Sequence, residues 1–288
     1  MSVSISNFGN SYDSRPDIVL ICPHGDDGAE FINQHNIKQL VTDPVVFDKY
    51  NFFKTDRGSR ELTIEIAKQI VAKSNNLMVE VVDVQIPRSV LDCNRIPGRE
   101  LRRVADWNNN QVLANELSSI HTEVINLVLE RLANMSRKGV YLDVHTMADY
   151  SPIGASFDVN APALEEYHED LEGYVSNFLV IDNDLQKRSI DLICSNGSTL
   201  LADLSLLHGV EQVLQNSGVP FARNRPYALN SRIMSNLYAE TYSGLTVDFL
   251  KGSLLGGSKD ILFSPIDSYA VTEVAAPFSR ALIERLSY

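Results

Sequence analysis

The chain has 288 residues, of which 44% are hydrophobic and 22% are charged, as in an ordinary soluble enzyme. Its formal net charge of −12 argues against nucleic acid and anionic membranes as partners, because both attract basic proteins. The polar start of the sequence and the absence of a long apolar run predict a cytoplasmic protein without a signal peptide. We expect residues 1–288 to form a single domain.

The three cysteines are Cys22, Cys93 and Cys194. Their number is odd, and none of them forms a Cys-x-x-Cys pair. Neither a disulfide framework nor a thiolate metal site is therefore indicated.

Apolar strand-like runs alternate with amphipathic helical patterns along the chain. Strands are predicted at 18–23, 77–84, 140–144, 178–181 and 243–250, and helices at 59–72, 110–135, 199–215 and 269–286. Segments rich in Pro, Asn and Ser predict loops at 149–163 and 221–235. This alternation predicts an α/β fold, a three-layer sandwich with a mixed, mostly parallel sheet.

A histidine and acidic residues come directly after the first apolar strand, in the segment His24-Gly25-Asp26-Asp27. Ligands of open α/β sheets collect where strands end, so His24 and Asp27 are placed to hold one divalent cation. A second histidine, His145, follows a later strand, with Asp143 two positions before it. Two imidazole nitrogens and one carboxylate, with a fourth position open, are the usual ligands of a catalytic zinc site.

A segment with two arginines follows the strand at 77–84 and reads Arg88-Ser89-Val90-Leu91-Asp92-Cys93-Asn94-Arg95. A guanidinium group matches a carboxylate with two parallel N–H groups, and a neighbouring amide adds directional hydrogen bonds. Asn94 and Arg95 are therefore candidates for binding the carboxylate of a small-molecule substrate. Asp92 is as well suited to a salt bridge with Arg88 or Arg95 as to a contact with the substrate.

Three motifs in this order resemble the N-formylglutamate amidohydrolase family, which belongs with the zinc carboxypeptidases and aspartoacylases. They are Pro-His-Gly at 23–25, Arg-x-x-x-Asp-x-Asn-Arg at 88–95 and Asp-x-His-Thr-Met at 143–147. The resemblance implies a zinc-carboxypeptidase-like fold with zinc bound by His24 and His145. It further implies that Asn94 and Arg95 bind the substrate carboxylate, and Arg88 matches the family's upstream arginine.

Two acidic positions depart from the family pattern. Carboxypeptidase-like enzymes have a glutamate as the carboxylate ligand, whereas the matching residue here is Asp27, and Glu30 and Asp56 compete for that role. The catalytic glutamate of the group, near the end of a late strand, is best matched by Asp248. Both side chains are one methylene shorter than the family's glutamates.

These residues predict zinc-dependent hydrolysis of an N-acyl, N-formyl-type amino acid or a related small amide with a carboxylate, with Asp248 as the catalytic base. The segment 19–27 also resembles the Pro-His-Pro-Asp-Asp motif of zinc-dependent N-acetylglucosaminyl deacetylases. An amino-sugar N-deacetylase is therefore an alternative, although that family's later histidine cluster has no counterpart here. The two departures to aspartate leave a further alternative, a non-catalytic binding protein on the same fold.

Overall fold

A computed structural model describes residues 2–9, 15–149, 171–179, 188–255 and 264–287. Among these residues, seven strands form one mixed sheet, and two more form a separate hairpin. The sheet strands are β1 (Val3–Gly9), β2 (Ile18–Cys22), β3 (Met78–Val84), β4 (Val140–Met147), β5 (Ile190–Ile193), β8 (Phe221–Arg223) and β9 (Gly244–Leu250), and the hairpin strands are β6 (Ser195–Asn196) and β7 (Thr199–Leu200). The order in the sheet is β1-β3-β2-β4-β9-β5-β8. Strands β3, β2, β4 and β9 are mutually parallel, as are β5 and β8, while β1 runs antiparallel to β3 and β5 runs antiparallel to β9.

Helices cover both faces of the sheet, and each face has its own hydrophobic core. One core includes buried side chains of α1 (Ala29–Gln34), α2 (Pro44–Lys54), α4 (Gln111–Ala133), α5 (Leu171–Leu179) and α7 (Met234–Thr241). The other includes those of α3 (Ser59–Lys73), α6 (Leu204–Asn216), the short helix α8 (Lys251–Leu254) and α9 (Ser268–Leu286). The expected three-layer α/β sandwich with a mixed, mostly parallel sheet is thus confirmed. None of the described helices is long and apolar enough to cross a membrane.

Side-chain alternation along the buried strand β4 places polar groups on one face of the sheet. Val140, Leu142 and Val144 pack in the core formed with α3, α6 and α9. The intervening residues Asp143 and His145 point toward the opposite face, since successive side chains of a strand alternate. The chain therefore buries Asp143 and His145 on one side of a strand whose other side is apolar from Val140 to Val144.

The pairing of β4 with β9 depends on a close contact between Tyr141 and Gly244. These two residues are register partners, and four residues further on His145 is the partner of Asp248. A Cβ atom on Gly244 would lie 2.2 Å from Cδ1 of the Tyr141 ring. Only glycine therefore fits at this position in the present packing.

Several element boundaries differ from the sequence-based prediction. The helix predicted at 199–215 begins only at Leu204, where the Asp203 side chain accepts a hydrogen bond from the Leu206 N–H, as a helix N-cap does. Phe178 and Leu179, predicted as strand, end helix α5, while residues 180 and 181 lie outside the described residues. The predicted loop 149–163 lies outside them from residue 150 onward, and the predicted loop 221–235 contains β8 and the start of α7.

Gly244→Ala should destabilise the protein by about 1–3 kcal/mol, because the added methyl group forces the Tyr141 ring out of its packed position. The matched control is Gly209→Ala in α6, where the new Cβ would lie at an ordinary 3.7 Å from Ala281 Cβ. That change should leave stability equal or slightly higher, since alanine favours a helix interior. Urea unfolding of both variants measures the difference, and equal stability of the two would contradict the steric argument.

Candidate metal and substrate site

Two histidines and one aspartate meet in a buried region at the carboxyl ends of the central strands β2 and β4. His24 follows β2, His145 lies near the end of β4, and Asp56 lies between α2 and α3. The Nδ1 atoms of His24 and His145 are 3.5 Å and 3.2 Å from Asp56 Oδ2, and all three residues are buried. Among the described residues, these three are the group of His, Cys, Asp or Glu side chains with the spacing of a metal site.

The outer ring nitrogen of each histidine faces a second carboxylate. His24 Nε2 lies 2.9 Å from Asp92 Oδ1, and His145 Nε2 lies 3.1 Å from Asp143 Oδ1. Because an ionised carboxylate accepts but cannot donate, the Asp92 contact favours the tautomer of His24 with its proton on Nε2. His145 lies between two carboxylates, since its Nδ1 is also 3.2 Å from Asp56 Oδ2, and a metal bound at Nδ1 requires its proton to lie on Nε2, toward Asp143. Carboxylates behind ligating imidazoles are the common outer-shell arrangement of zinc-bound histidines.

The donor atoms of His24, His145 and Asp56 fit a divalent cation. Their lone pairs repel one another in a buried space unless positive charge lies between them. Burial opposes a charged His145, but Asp143 and Asp56 outweigh it and raise the pKa of His145 well above its usual value. Zinc bonds of about 2.0–2.2 Å in a tetrahedron place ligand atoms roughly 3.3–3.6 Å apart. The two distances to Asp56 Oδ2 lie close to that range.

Asp27, the predicted carboxylate ligand, is not part of this group, and Asp56 stands in its place. Asp27 is exposed, and its Oδ1 accepts a hydrogen bond from the Ala29 N–H at the start of α1. Its neighbour Asp26 bonds the Gly28 N–H and Arg60. The turn after His24 therefore directs both acids toward backbone N–H groups and solvent. Glu30, the other competing acid, is exposed on α1.

Asp56 is held by contacts with His24 and Arg88. Its N–H donates to the His24 carbonyl at 2.9 Å, and Arg88 Nη1 donates to its Oδ1 at 3.2 Å. Burial would raise the pKa of the Asp56 carboxyl, but Arg88 and the two histidines hold it well below its usual range. The group is therefore ionised, as a metal ligand must be.

Asp92 is fully buried and lies among three arginines. Arg102 donates to its Oδ2, and the Nε atoms of Arg88 and Arg95 lie 3.5 Å from the same oxygen. Burial would raise the pKa of Asp92, but Arg102 and Arg88 hold it well below its usual range. Of the two predicted carboxylate-binding arginines, Arg88 is the more open, with 26% of its side chain exposed against 5% for Arg95.

Asn94 is connected to the surroundings of His145 through Ser235. Asn94 Oδ1 accepts a hydrogen bond from the Ser235 N–H at 2.9 Å, and the Ser235 hydroxyl lies 2.6 Å from Asp143 Oδ2. The same hydroxyl lies 2.8 Å from Asn94 Oδ1, but its single proton is better used by the charged Asp143. The predicted substrate-binding segment and His145 therefore share one partner.

Asp248 lies beside His145 in the paired strands, on the polar face of the sheet. It is buried, and its Oδ1 has no hydrogen-bond partner among the described residues. Burial raises the pKa of Asp248 to about 6, with Asp56 adding to the effect and His145 opposing it. A carboxyl group with a pKa near neutrality is suited to taking up and releasing a proton.

Three residues of the site carried no recognisable signal in the sequence. Arg102, which pairs with Asp92, belongs to a charged run typical of a solvated surface. His121 lies on α4, and its Nε2 is 2.9 Å from the Arg95 carbonyl oxygen. Lys251 follows β9 and bonds the backbone next to Asp56. The partners in these contacts are 10, 26 and 196 residues apart in sequence, so only the tertiary fold reveals them.

Comparison with known proteins shows the fold and leaves the activity open. No protein-family model matches the sequence, and no curated protein sequence matches it. The structure is similar to N-formylglutamate amidohydrolase from Ralstonia eutropha JMP134, with a TM-score of 0.56 and 13% identity over 100% of this chain and 97% of that one. A gene product of Agrobacterium tumefaciens, Atu2144, is similar at a TM-score of 0.56 and 13% identity over 99% and 95% of the two chains. The fold implied by the family resemblance is thereby confirmed.

Asp56→Ala and Asp27→Ala form a matched pair that tests the carboxylate ligand. We expect Asp56→Ala to weaken zinc binding more than about 100-fold, because a ligand matters more than an outer-shell group, whose loss costs about 10- to 100-fold. The exposed Asp27 should be replaceable without effect. Competition with a chromogenic chelator measures both affinities. Loss of zinc from Asp27→Ala alone would restore Asp27 as the ligand.

Proposed function

We propose that this protein is a zinc-dependent amidohydrolase that acts on an N-acyl amino acid, of the N-formyl type, or on a related small amide with a free carboxylate. The observation that carries the proposal is the meeting of His24 Nδ1, His145 Nδ1 and Asp56 Oδ2, with Asp248 beside His145. This set supplies two nitrogens and one oxygen as ligands and one further carboxyl group for proton transfer. The likeness in fold to an amidohydrolase supports the same conclusion.

The metal and the protein divide the chemistry between them. When bound, zinc supplies Lewis acidity for the scissile carbonyl and for the attacking water. His24, His145 and Asp56 would hold it, while Asp92 and Asp143 would fix the orientation of the two imidazole rings. The rigid support of both rings by buried carboxylates keeps the ligand atoms in place during turnover.

Asp248 serves as the general base and then as the general acid. It takes a proton from the attacking water as the new C–O bond forms, and it gives a proton to the leaving amine as the C–N bond breaks. The products are a carboxylic acid and an amine. Its unpartnered Oδ1 and its position beside His145 support this role, since a proton-transferring group has to lie within reach of the metal site.

An anionic substrate is favoured by the charges around Asp92. The guanidinium groups of Arg88, Arg95 and Arg102 gather around Asp92, and Arg88 also contacts Asp56. This group of three guanidinium groups contrasts with a formal charge of −12 for the whole chain. Arg88, Asn94 and Arg95 would hold the substrate carboxylate and so position the amide over the metal.

The sugar-deacetylase alternative finds no support in these contacts. That motif uses its second aspartate as a zinc ligand and its first as the base. Here Asp27 is exposed, and Asp26 is paired with Arg60.

The non-catalytic alternative is tested by metal content and by the release of amine from N-formyl, N-acetyl and N-succinyl amino acids. Purified protein that takes up about one zinc per chain and releases amine supports the enzyme, whereas failure of both supports the binding protein.

Arg95→Lys should lower kcat/KM on the order of 10- to 100-fold, because an ammonium group cannot reproduce the paired N–H groups of a guanidinium, and such a charged contact is worth about 1.5–3 kcal/mol. Zinc content should not change. The control is a substrate whose carboxylate is amidated, for which the loss should be much smaller. A loss of equal size on both substrates would mean that Arg95 supports the fold or the reaction centre instead.

Asp248→Asn should lower kcat by about 100- to 10,000-fold while zinc affinity stays within about threefold of the wild type. For the wild type, the carboxylate is the active form, so activity is present above the pKa of Asp248 and is lost as the pH falls through it. The acidic limb of kcat/KM should therefore lie at or below about pH 6, since a bound dication lowers that pKa further. Unchanged turnover in Asp248→Asn would exclude it as the base.

A further inference from the structure

A buried lysine outside the proposed ligand set contacts the segment that carries Asp56. The Lys251 ammonium donates to the Thr55 carbonyl at 2.6 Å and to the Phe53 carbonyl at 3.0 Å. Lys251 is 6% exposed. The Thr55 carbonyl belongs to the peptide bond that precedes Asp56, so this contact acts on the backbone directly beside the ligand.

The segment at 53–56 is held from two sides. On one side, the Asp56 N–H donates to the His24 carbonyl at 2.9 Å. On the other side, the Lys251 ammonium, which follows β9, donates to the Phe53 and Thr55 carbonyls. The Thr55 hydroxyl, by contrast, bonds within its own helix end, to the Asn51 carbonyl at 2.9 Å. Lys251 therefore joins the Asp56 segment to the strand that carries Asp248.

The position of Lys251 is itself fixed by the next residue. The Gly252 N–H donates to Asp149 Oδ1 at 2.8 Å, and a Cβ on Gly252 would lie 2.2 Å from Asp149 Oδ2. Asp149 follows the strand that carries His145. The ends of β4 and β9 are thus held together at the point from which the lysine extends.

Burial of an ammonium group is unfavourable unless its donors are satisfied. Burial lowers the pKa of Lys251 to about 8, while Asp56 acts in the opposite direction. The charged form still predominates at neutral pH, and its hydrogen bonds to two carbonyls are charge-assisted, which makes them about twice as strong as neutral ones. A lysine kept in such a place therefore fixes the path of the backbone that it contacts.

We propose that Lys251 is a positioning residue for the metal site, which acts through the Phe53 and Thr55 carbonyls to place Asp56 opposite His24 and His145. This inference rests on the proposed function, because it takes Asp56 to be the carboxylate ligand. It adds a residue that does not itself touch metal or substrate. The inference predicts that Lys251 and Asp56 affect metal binding jointly rather than independently.

A double-mutant cycle read by zinc affinity tests this inference on the full chain. Lys251→Met, which keeps the unbranched apolar stem but has no donors, should weaken zinc binding by about 10-fold, as the loss of outer-shell support does. In the Asp56→Ala background, the same change should have no further effect, because the ligand that it positions is gone. Lys38→Met is the control: it also removes a lysine ammonium group, but one at the surface, where it pairs with Asp48. It should change the zinc affinity less than about twofold.

The outcomes separate this inference from the proposal on which it rests. If Asp56→Ala binds zinc as the wild type does, the proposed ligand set and the inference both fall. If Asp56→Ala loses zinc but Lys251→Met does not, or if their effects add, only the inference falls. Should Lys251→Met not fold, Lys251→Gln replaces it in the cycle, since its amide keeps N–H donors at one bond less reach. Lys251→Gln should lower the zinc affinity of the otherwise wild-type protein and should not change that of Asp56→Ala.

Discussion

His24 Nδ1, His145 Nδ1 and Asp56 Oδ2 meet in one buried place. The repulsion between lone pairs on these three atoms is the constraint around which the site is arranged. Positive charge is required between these atoms, and the chain places charges of alternating sign around them. Carboxylates lie behind both imidazoles, with arginines behind Asp92 and the hydroxyl groups of Ser235 and Thr246 behind Asp143. Each surrounding set of partners offsets part of the free-energy cost of removing the groups inside it from water, and ionic groups can therefore be buried there.

Buried ion networks contribute more to geometry than to stability, because desolvation cancels most of the attraction between the charges. The stability of this fold therefore comes from the two apolar cores, which lie on opposite faces of the sheet. Strand β4 serves both purposes: one side of it packs against α3, α6 and α9, and the other presents Asp143 and His145. The sheet thus carries Asp143, His145 and Asp248, whereas His24, Asp56 and the segment 88–95 lie in connections between the elements.

The strands and helices with regular hydrophobic patterns could be predicted from the sequence, and so could the ends of β2 and β4 as the places of the two histidines. The acidic residue that joins His24 and His145 could not be chosen from the sequence. Asp27 and Asp56 are both short acids in polar segments, and only the fold brings Asp56 back to the His24 carbonyl. The supporting residues Arg102, His121 and Lys251 were likewise beyond prediction, because their partners lie on other segments of the chain. Sequence patterns report which face of an element is buried, but not which polar side chains meet there.

The packing of Gly244 against the Tyr141 ring has a consequence at the other end of the same two strands. A slip of one residue in this pairing would turn Asp248 to the opposite face and bring an apolar neighbour beside His145, because side chains alternate along a strand. Asp248 and His145 are thus aligned by a steric fit four residues away from them. An aromatic residue four positions before the second histidine, together with a glycine four positions before the late acid, is therefore a pattern by which distant relatives with the same alignment can be recognised.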